Sequence, residues 1–167
     1  MNSTEIFNLL ETIAATPSKN DKQRLLQEAD CPELRRVLKS AYDPTINYYI
    51  KKVPSPEGQP QLDNFTDYTW KMLDDLSSRK VTGREALAFV FNMLNTLNLP
   101  SRELLTRIIK RDLRAGFSES TINKVFNGLI PSYPYMQYSL LSKVKPETLF
   151  LSGYAFCQLK MDGMYMS

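Results

Sequence analysis

Along residues 3–127 the chain repeats one pattern, in which apolar side chains return every three or four positions between proline, glycine and small polar breaks. That period lines one face of an α-helix, so it predicts a succession of short helices. Asn2 or Ser3 can cap the first, whose Ile6, Leu9, Leu10 and Ile13 share a face. Ser18 opens a second. Cys31-Pro32 opens a third, with proline at a first position where no intrahelical donor is lost. Asp43-Pro44 repeats that signal and predicts a short helix over 45–50, and the three prolines Pro54, Pro56 and Pro60 make 53–64 a loop.

Three stronger helices follow. Thr66 is placed to cap one that sets Phe65, Tyr68, Met72, Leu73 and Leu76 on a single face. Thr82 and Glu85 spell a capping box, and the helix after them is expected to bury Leu87, Val90, Met93, Leu94 and Leu97. Pro100-Ser101 begins a third, expected to run to Ala115 and stop at Gly116 in a left-handed cap. Ser118 starts a last short helix through Phe126. From Gly128 the helical period is lost, and Ala155 to Lys160 reads as a strand. A boundary is expected near residue 130. The fold class expected is mainly α, with an all-helical domain over 1–130 and the first strands of a second domain over 131–167.

Composition narrows the chemistry. An apolar share of 43% and a charged share of 23% are those of a globular protein, and 167 residues suffice for one cored domain and part of another. The chain has no histidine, which removes imidazole bases, histidine triads and zinc sites that need histidine ligands. Cys31 and Cys157 are too few for a disulfide framework and read as free thiols. No basic region precedes an apolar run at the start, and the apolar run from Ala86 to Phe91 is far too short to span a bilayer. A soluble, intracellular protein with no membrane partner is expected, and no residue is assigned to a metal.

The net charge of +3 is modest, but its distribution is uneven. Residues 1–30 carry three basic and five acidic side chains, whereas residues 101–126 carry six and three. On a helix over 101–115, Leu104, Leu105, Ile108, Ile109 and Leu113 fall on one side. Arg107, Lys110, Arg111 and Arg114 form a stripe on the other, at i, i+3, i+4 and i+7. Like charges at that spacing repel, so the stripe reads either as a solvated face or as a surface for a phosphate backbone, where each contact releases counterions. Gly116 allows a reversal, and Ser118 either caps the next helix or holds a phosphate with it. Asp112 projects from the apolar side and is expected to be buried and paired. Trp70, Tyr48 and Tyr49 could stack on bases, but aromatics at helical spacing more often fill cores.

The segment Gln158-Leu159-Lys160-Met161-Asp162-Gly163 carries candidate covalent chemistry. A lysine at a strand end, beside a carboxylate and a turn, suits nucleotidyl transfer once its proton is removed; the plain alternative is an exposed lysine beside a β-turn. In this setting the chain resembles the ATP-dependent DNA ligases of T-even-type tailed phages. The pieces that carry the likeness are Tyr48-Tyr-Ile-Lys-Lys52, Arg79-Lys-Val-Thr-Gly83, Arg111-Asp-Leu-x-x-Gly116-x-Ser118, Asn123-Lys-Val125, Gly128-Leu-Ile-Pro131 with Pro134 and Met136, and Gln158-Leu-Lys-x-Asp-Gly163.

The resemblance implies a helical DNA-binding domain over 1–130 and, over 131–167, the start of an α+β nucleotidyltransferase domain. It implies that Lys160 attacks the α-phosphate of ATP to form lysyl-AMP, with Gln158 and Leu159 beside the adenine. The DNA contacts it suggests are Lys51, Lys52, Arg79, Lys80, Arg107, Lys110, Arg111, Arg114, Ser118 and Lys124. ATP and Mg2+ are the cofactors of the intact enzyme, with none expected on this chain. Nicked double-stranded DNA is the partner, together with a complementing carboxy-terminal ligase fragment, in the cytoplasm of an infected bacterial host. Two departures stand out: Tyr165 occupies a position where the motif usually has arginine, and only seven residues follow Lys160. The chain alone is therefore expected to be unable to ligate. A stand-alone helical nucleic-acid-binding or interaction module is the alternative. RNA ligases and capping enzymes share the lysine chemistry, but the helical pieces upstream resemble DNA ligases.

Overall fold

The computed structural model describes residues 1–132, all within a compact unit of Met1–Ser132. The strand expected at 155–160, Cys157 and the Gln158-Leu159-Lys160 segment lie outside the described residues. Among the described residues there are seven helices and no strand: α1 (Ser3–Ala15), α2 (Lys19–Glu28), α3 (Pro32–Tyr42), α4 (Asp67–Ser77), α5 (Gly83–Thr96), α6 (Leu99–Lys110) and α7 (Glu119–Val125).

The starts of the first three helices follow their local chemistry. Asn2 accepts from the Glu5 amide at 2.9 Å while the Glu5 carboxylate accepts from the Asn2 amide at 2.9 Å, a complete capping box. Ser18 accepts from the Asp21 amide, and the Cys31 sulfur accepts from the Leu34 amide ahead of Pro32. The core then forms from the apolar stripes of the helices, those on α1 and α6 as predicted. Ile6, Leu10 and Ile13 of α1, Leu34, Val37 and Leu38 of α3, and Leu104, Leu105 and Ile108 of α6 are all buried. Helix α6 packs against α1, α3 and α5, which makes it the central element. A buried hydroxyl pair, Ser3 to Ser101 at 2.8 Å, ties the starts of α1 and α6 to the loop carbonyl of Asp63.

The proline-rich loop is stitched down rather than free. Asn95 accepts from the Glu57 and Gly58 amides, and Arg102 donates to the Gly58 carbonyl at 2.6 Å. A Cβ on Gly58 would lie 2.9 Å from that of Asn95, so the approach needs glycine.

Several expectations are corrected. No helix forms over 45–50: Asp43 instead closes one turn by accepting from the Thr45 amide and hydroxyl, and the chain then buries Tyr48. Burial of that ring outweighs a local helix signal. Tyr68 and Leu87 are exposed, and Ala86 takes the inward position on α5. The Thr82–Glu85 box does not form; Gly83, at φ +60, starts the helix with no side-chain cap from Thr82. Helix α6 ends at Lys110, not Ala115, because Arg111 turns left-handed at φ +58. That turn carries Leu113 and Ala115 into the core, where both are fully buried. Asp112 is exposed, and among the described residues its carboxylate accepts only from the Arg114 amide, at 2.9 Å.

Candidate functional site

Ending α6 early dissolves the four-cation stripe. Arg107 is 7% exposed and forms ion pairs with Glu11 of α1 and Glu103 of its own helix. It also donates to the Leu113 carbonyl at 3.2 Å and lies over the Phe7 ring. Burial disfavours its charge, yet the hydrogen bonds it donates to Glu11 and Glu103, together with their negative charges, more than offset that and raise its pKa. Arg111 donates to the Asp43 carbonyl at 2.7 Å, and so satisfies the carboxy-terminal end of α3. Only Lys110 and Arg114 of the four remain exposed, and Arg114 lies 3.8 Å from Glu103.

The Gly116 turn is held from beneath. Lys22 of α2 is buried and donates to the Ala115 carbonyl at 2.9 Å and the Gly116 carbonyl at 3.2 Å. Gly116 has φ +65, and a Cβ there would sit 2.6 Å from the Lys22 nitrogen. Gly116→Ala is expected to lower stability by about 1–3 kcal/mol, the range for a non-glycine residue forced left-handed plus a displaced contact. Denaturant unfolding checks it, and an unchanged midpoint would refute it. Ser118 is exposed and bonds Ser120 at 2.9 Å rather than capping α7. Lys124 is exposed on α7.

A second basic surface is better assembled. Residues 48–52 and the segment 79–87, apart from Lys80 and Glu85, line one groove of about 530 Å³, with Ile50, Val81, Ala86 and Leu87 supplying apolar surface and Lys51, Lys52, Arg79 and Arg84 supplying charge. Tyr48 anchors one wall: its ring is 3% exposed and its hydroxyl donates to the Ser40 carbonyl at 2.9 Å. Burial pushes that hydroxyl up to about 12, so it stays protonated across the neutral range. The next residue, Tyr49, is 55% exposed and has φ +58. Across from it, α4 closes in a Schellman arrangement: the Arg79 amide donates to the Leu76 carbonyl and the Lys80 amide to the Asp75 carbonyl. Arg79 takes the left-handed position there, and its guanidinium lies 4.8 Å from the Tyr49 ring centre.

Among the described residues, no carboxylate pairs with Lys51, Lys52, Arg79 or Arg84, whereas Lys80 pairs with Asp75 at 3.4 Å. The structure thus brings together three of the residues named from sequence and leaves Lys80 outside. Arg84 was missed. Its signal was present, since a cation in the first turn of a helix opposes the dipole and has no local reason to be there. Trp70 is half-buried beneath Arg36, whose guanidinium lies 4.2 Å from the ring centre. Among the described residues no group of three or more acidic, cysteine or histidine side chains could hold a metal ion, and no helix is long and apolar enough to cross a membrane.

A mainly helical unit with a cationic, partly apolar groove is the class that fold and site define. The particular relatives are DNA ligases: those of Enterobacteria phages T4 and T6 are each 36% identical to this chain over 163 residues, or 95% of its length. The chain spans about a third of those relatives, 33% of each. Two solved structures named Pmar-Lig_PreS3 and Pmar-Lig_Pre superpose with TM-scores of 0.65 and 0.64 at 26% identity. They cover 78% and 75% of this chain, and the match takes in 32% and 29% of theirs. No family model matches. The resemblance to T-even-type phage DNA ligases therefore holds along nearly the whole chain.

Proposed function

We propose that this chain is the amino-terminal, DNA-gripping part of an ATP-dependent DNA ligase. The similarity to phage DNA ligases over 95% of the chain carries the reading. The groove with four cations unpaired among the described residues supports it, because a phosphate backbone is the partner that such a surface lacks. The helical unit of residues 1–132 holds a nicked duplex through phosphate contacts by Lys51, Lys52, Arg79 and Arg84, with Lys110, Arg114, Ser118 and Lys124 as further contacts. Arg107 and Arg111 serve the fold.

In the intact enzyme Lys160, once deprotonated, attacks the α-phosphate of ATP, and pyrophosphate leaves. A bound Mg2+ would supply positive charge to offset that building on the phosphates. Gln158 and Leu159 would help hold the adenine of that nucleotide. AMP then passes from Lys160 to the 5′-phosphate of the nick, and the 3′-hydroxyl displaces it as the strand is sealed. Such an enzyme works in the cytoplasm of an infected bacterial host.

The 167-residue chain is expected to bind nicked and intact duplex with little sequence preference and a steep salt dependence. Mixed with a complementing carboxy-terminal ligase fragment and α-labelled ATP, it should take label on Lys160, and Lys160→Ala should abolish that label. A chain that binds no duplex at any salt concentration would remove the grip. Label that survives Lys160→Ala would remove the nucleophile.

A further inference from the structure

Two arginines in this molecule sit where helices normally end in glycine. Arg79 closes α4 and Arg111 closes α6, both at φ +58, and a side chain in that conformation strains the backbone. For Arg111 the structure shows the return. Its guanidinium donates to the Asp43 and Ala41 carbonyls and satisfies the end of α3. Arg79 makes no such bond among the described residues. Its guanidinium lies over the ring of Tyr49, a residue that is itself left-handed and exposed, with Lys51 two positions on. The left-handed turn at Arg79 lets its amide and that of Lys80 close α4, but a glycine would close it without the strain. The Arg79 side chain, at the mouth of a groove with three further cations, makes no hydrogen bond among the described residues. Such sites persist where a ligand repays the strain.

We propose that the groove between residues 48–52 and 79–87 seats the sugar–phosphate backbone of one strand of duplex DNA. In it Arg79 grips a phosphate, and Tyr49 is a positioning residue that holds the guanidinium ready. This rests on the ligase reading above and assigns the contact within it. The groove's mixed lining fits that occupant: Ile50, Ala86 and Leu87 offer an apolar floor for deoxyribose, and Lys51, Lys52 and Arg84 flank the phosphates. The stack leaves the planar guanidinium's edge donors free while one ring face restricts its motion, so less freedom is lost when phosphate binds. Tyr49 thereby acts through Arg79 and not as a base-stacking platform of its own.

The test measures affinity of the full 167-residue chain for a nicked duplex across a salt series, together with thermal unfolding. Arg79→Gly is expected to raise the melting temperature, because glycine accepts the left-handed turn, and yet to weaken binding and flatten the salt slope by about one. Tyr49→Phe, which keeps the ring, should bind as the parent does. Tyr49→Ala should bind about two- to fivefold more weakly, the range of an exposed cation–π contact. In the Arg79→Gly background Tyr49→Ala should add nothing.

Arg79→Gly with unchanged affinity and slope would overturn the groove assignment while leaving the ligase reading intact. A Tyr49→Ala loss that persists without Arg79 would make the ring an independent stacking platform and overturn the positioning role. A parent chain with no affinity for duplex would bring down both this inference and the reading on which it rests.

Discussion

Arg107→Met is expected to destabilise the helical unit by about 2–3 kcal/mol, with its effect on DNA binding no larger than that loss of folded protein explains. The arginine joins three parts of the fold: Glu11 on α1, Glu103 on α6 and the Leu113 carbonyl beyond the α6 turn. Methionine keeps much of the aliphatic volume against Phe7 but leaves the Leu113 carbonyl without its buried donor. Breaking a wholly buried pair usually costs about 3–5 kcal/mol. Here Glu11 and Glu103 are both more than a third exposed and can rehydrate, which lowers the figure. Denaturant unfolding would show a lower midpoint with the slope unchanged. A variant as stable as the parent but defective in binding would return Arg107 to the DNA surface and contradict its place in the fold.

That arginine also marks where the sequence stopped being legible. Features decided within four residues could be read: the caps at Ser18 and Cys31-Pro32, and the inward face of α1, depend only on near neighbours. The orientation of Arg107 depends on Glu11, 96 positions away, and on a carbonyl freed only because α6 ends early. The early end is itself a tertiary result, since Arg111 leaves the helix to reach the end of α3, and Leu113 and Ala115 become buried. A helical wheel drawn through residue 115 therefore put two structural cations, Arg107 and Arg111, beside two solvent-facing ones. The groove was half legible. Its lysines and Arg79 stood out as pieces of the resemblance, whereas their meeting with Arg84 requires the α4–α5 turn to fold back on residues 48–52.

The same geometry predicts how binding energy divides between the two basic surfaces. Lys51→Gln, Lys52→Gln, Arg79→Gln and Arg84→Gln in one chain are expected to flatten the salt dependence by about three to four, roughly 0.9 per lost phosphate contact. Affinity at moderate salt should fall about a hundredfold or more, as several charge-assisted contacts disappear together. Stability should hold, because no described carboxylate pairs with any of the four and their removal relieves mutual repulsion. The comparison is Lys110→Gln with Arg114→Gln at the end of α6. Only these two cations remain exposed there, and Glu103 already lies near Arg114, so the slope should change by no more than about two. Both variants would be titrated against the same nicked duplex over one salt series. The reverse ranking, with the α6 pair mattering more than the four groove cations, would move the DNA-binding face away from the groove and onto the end of the central helix.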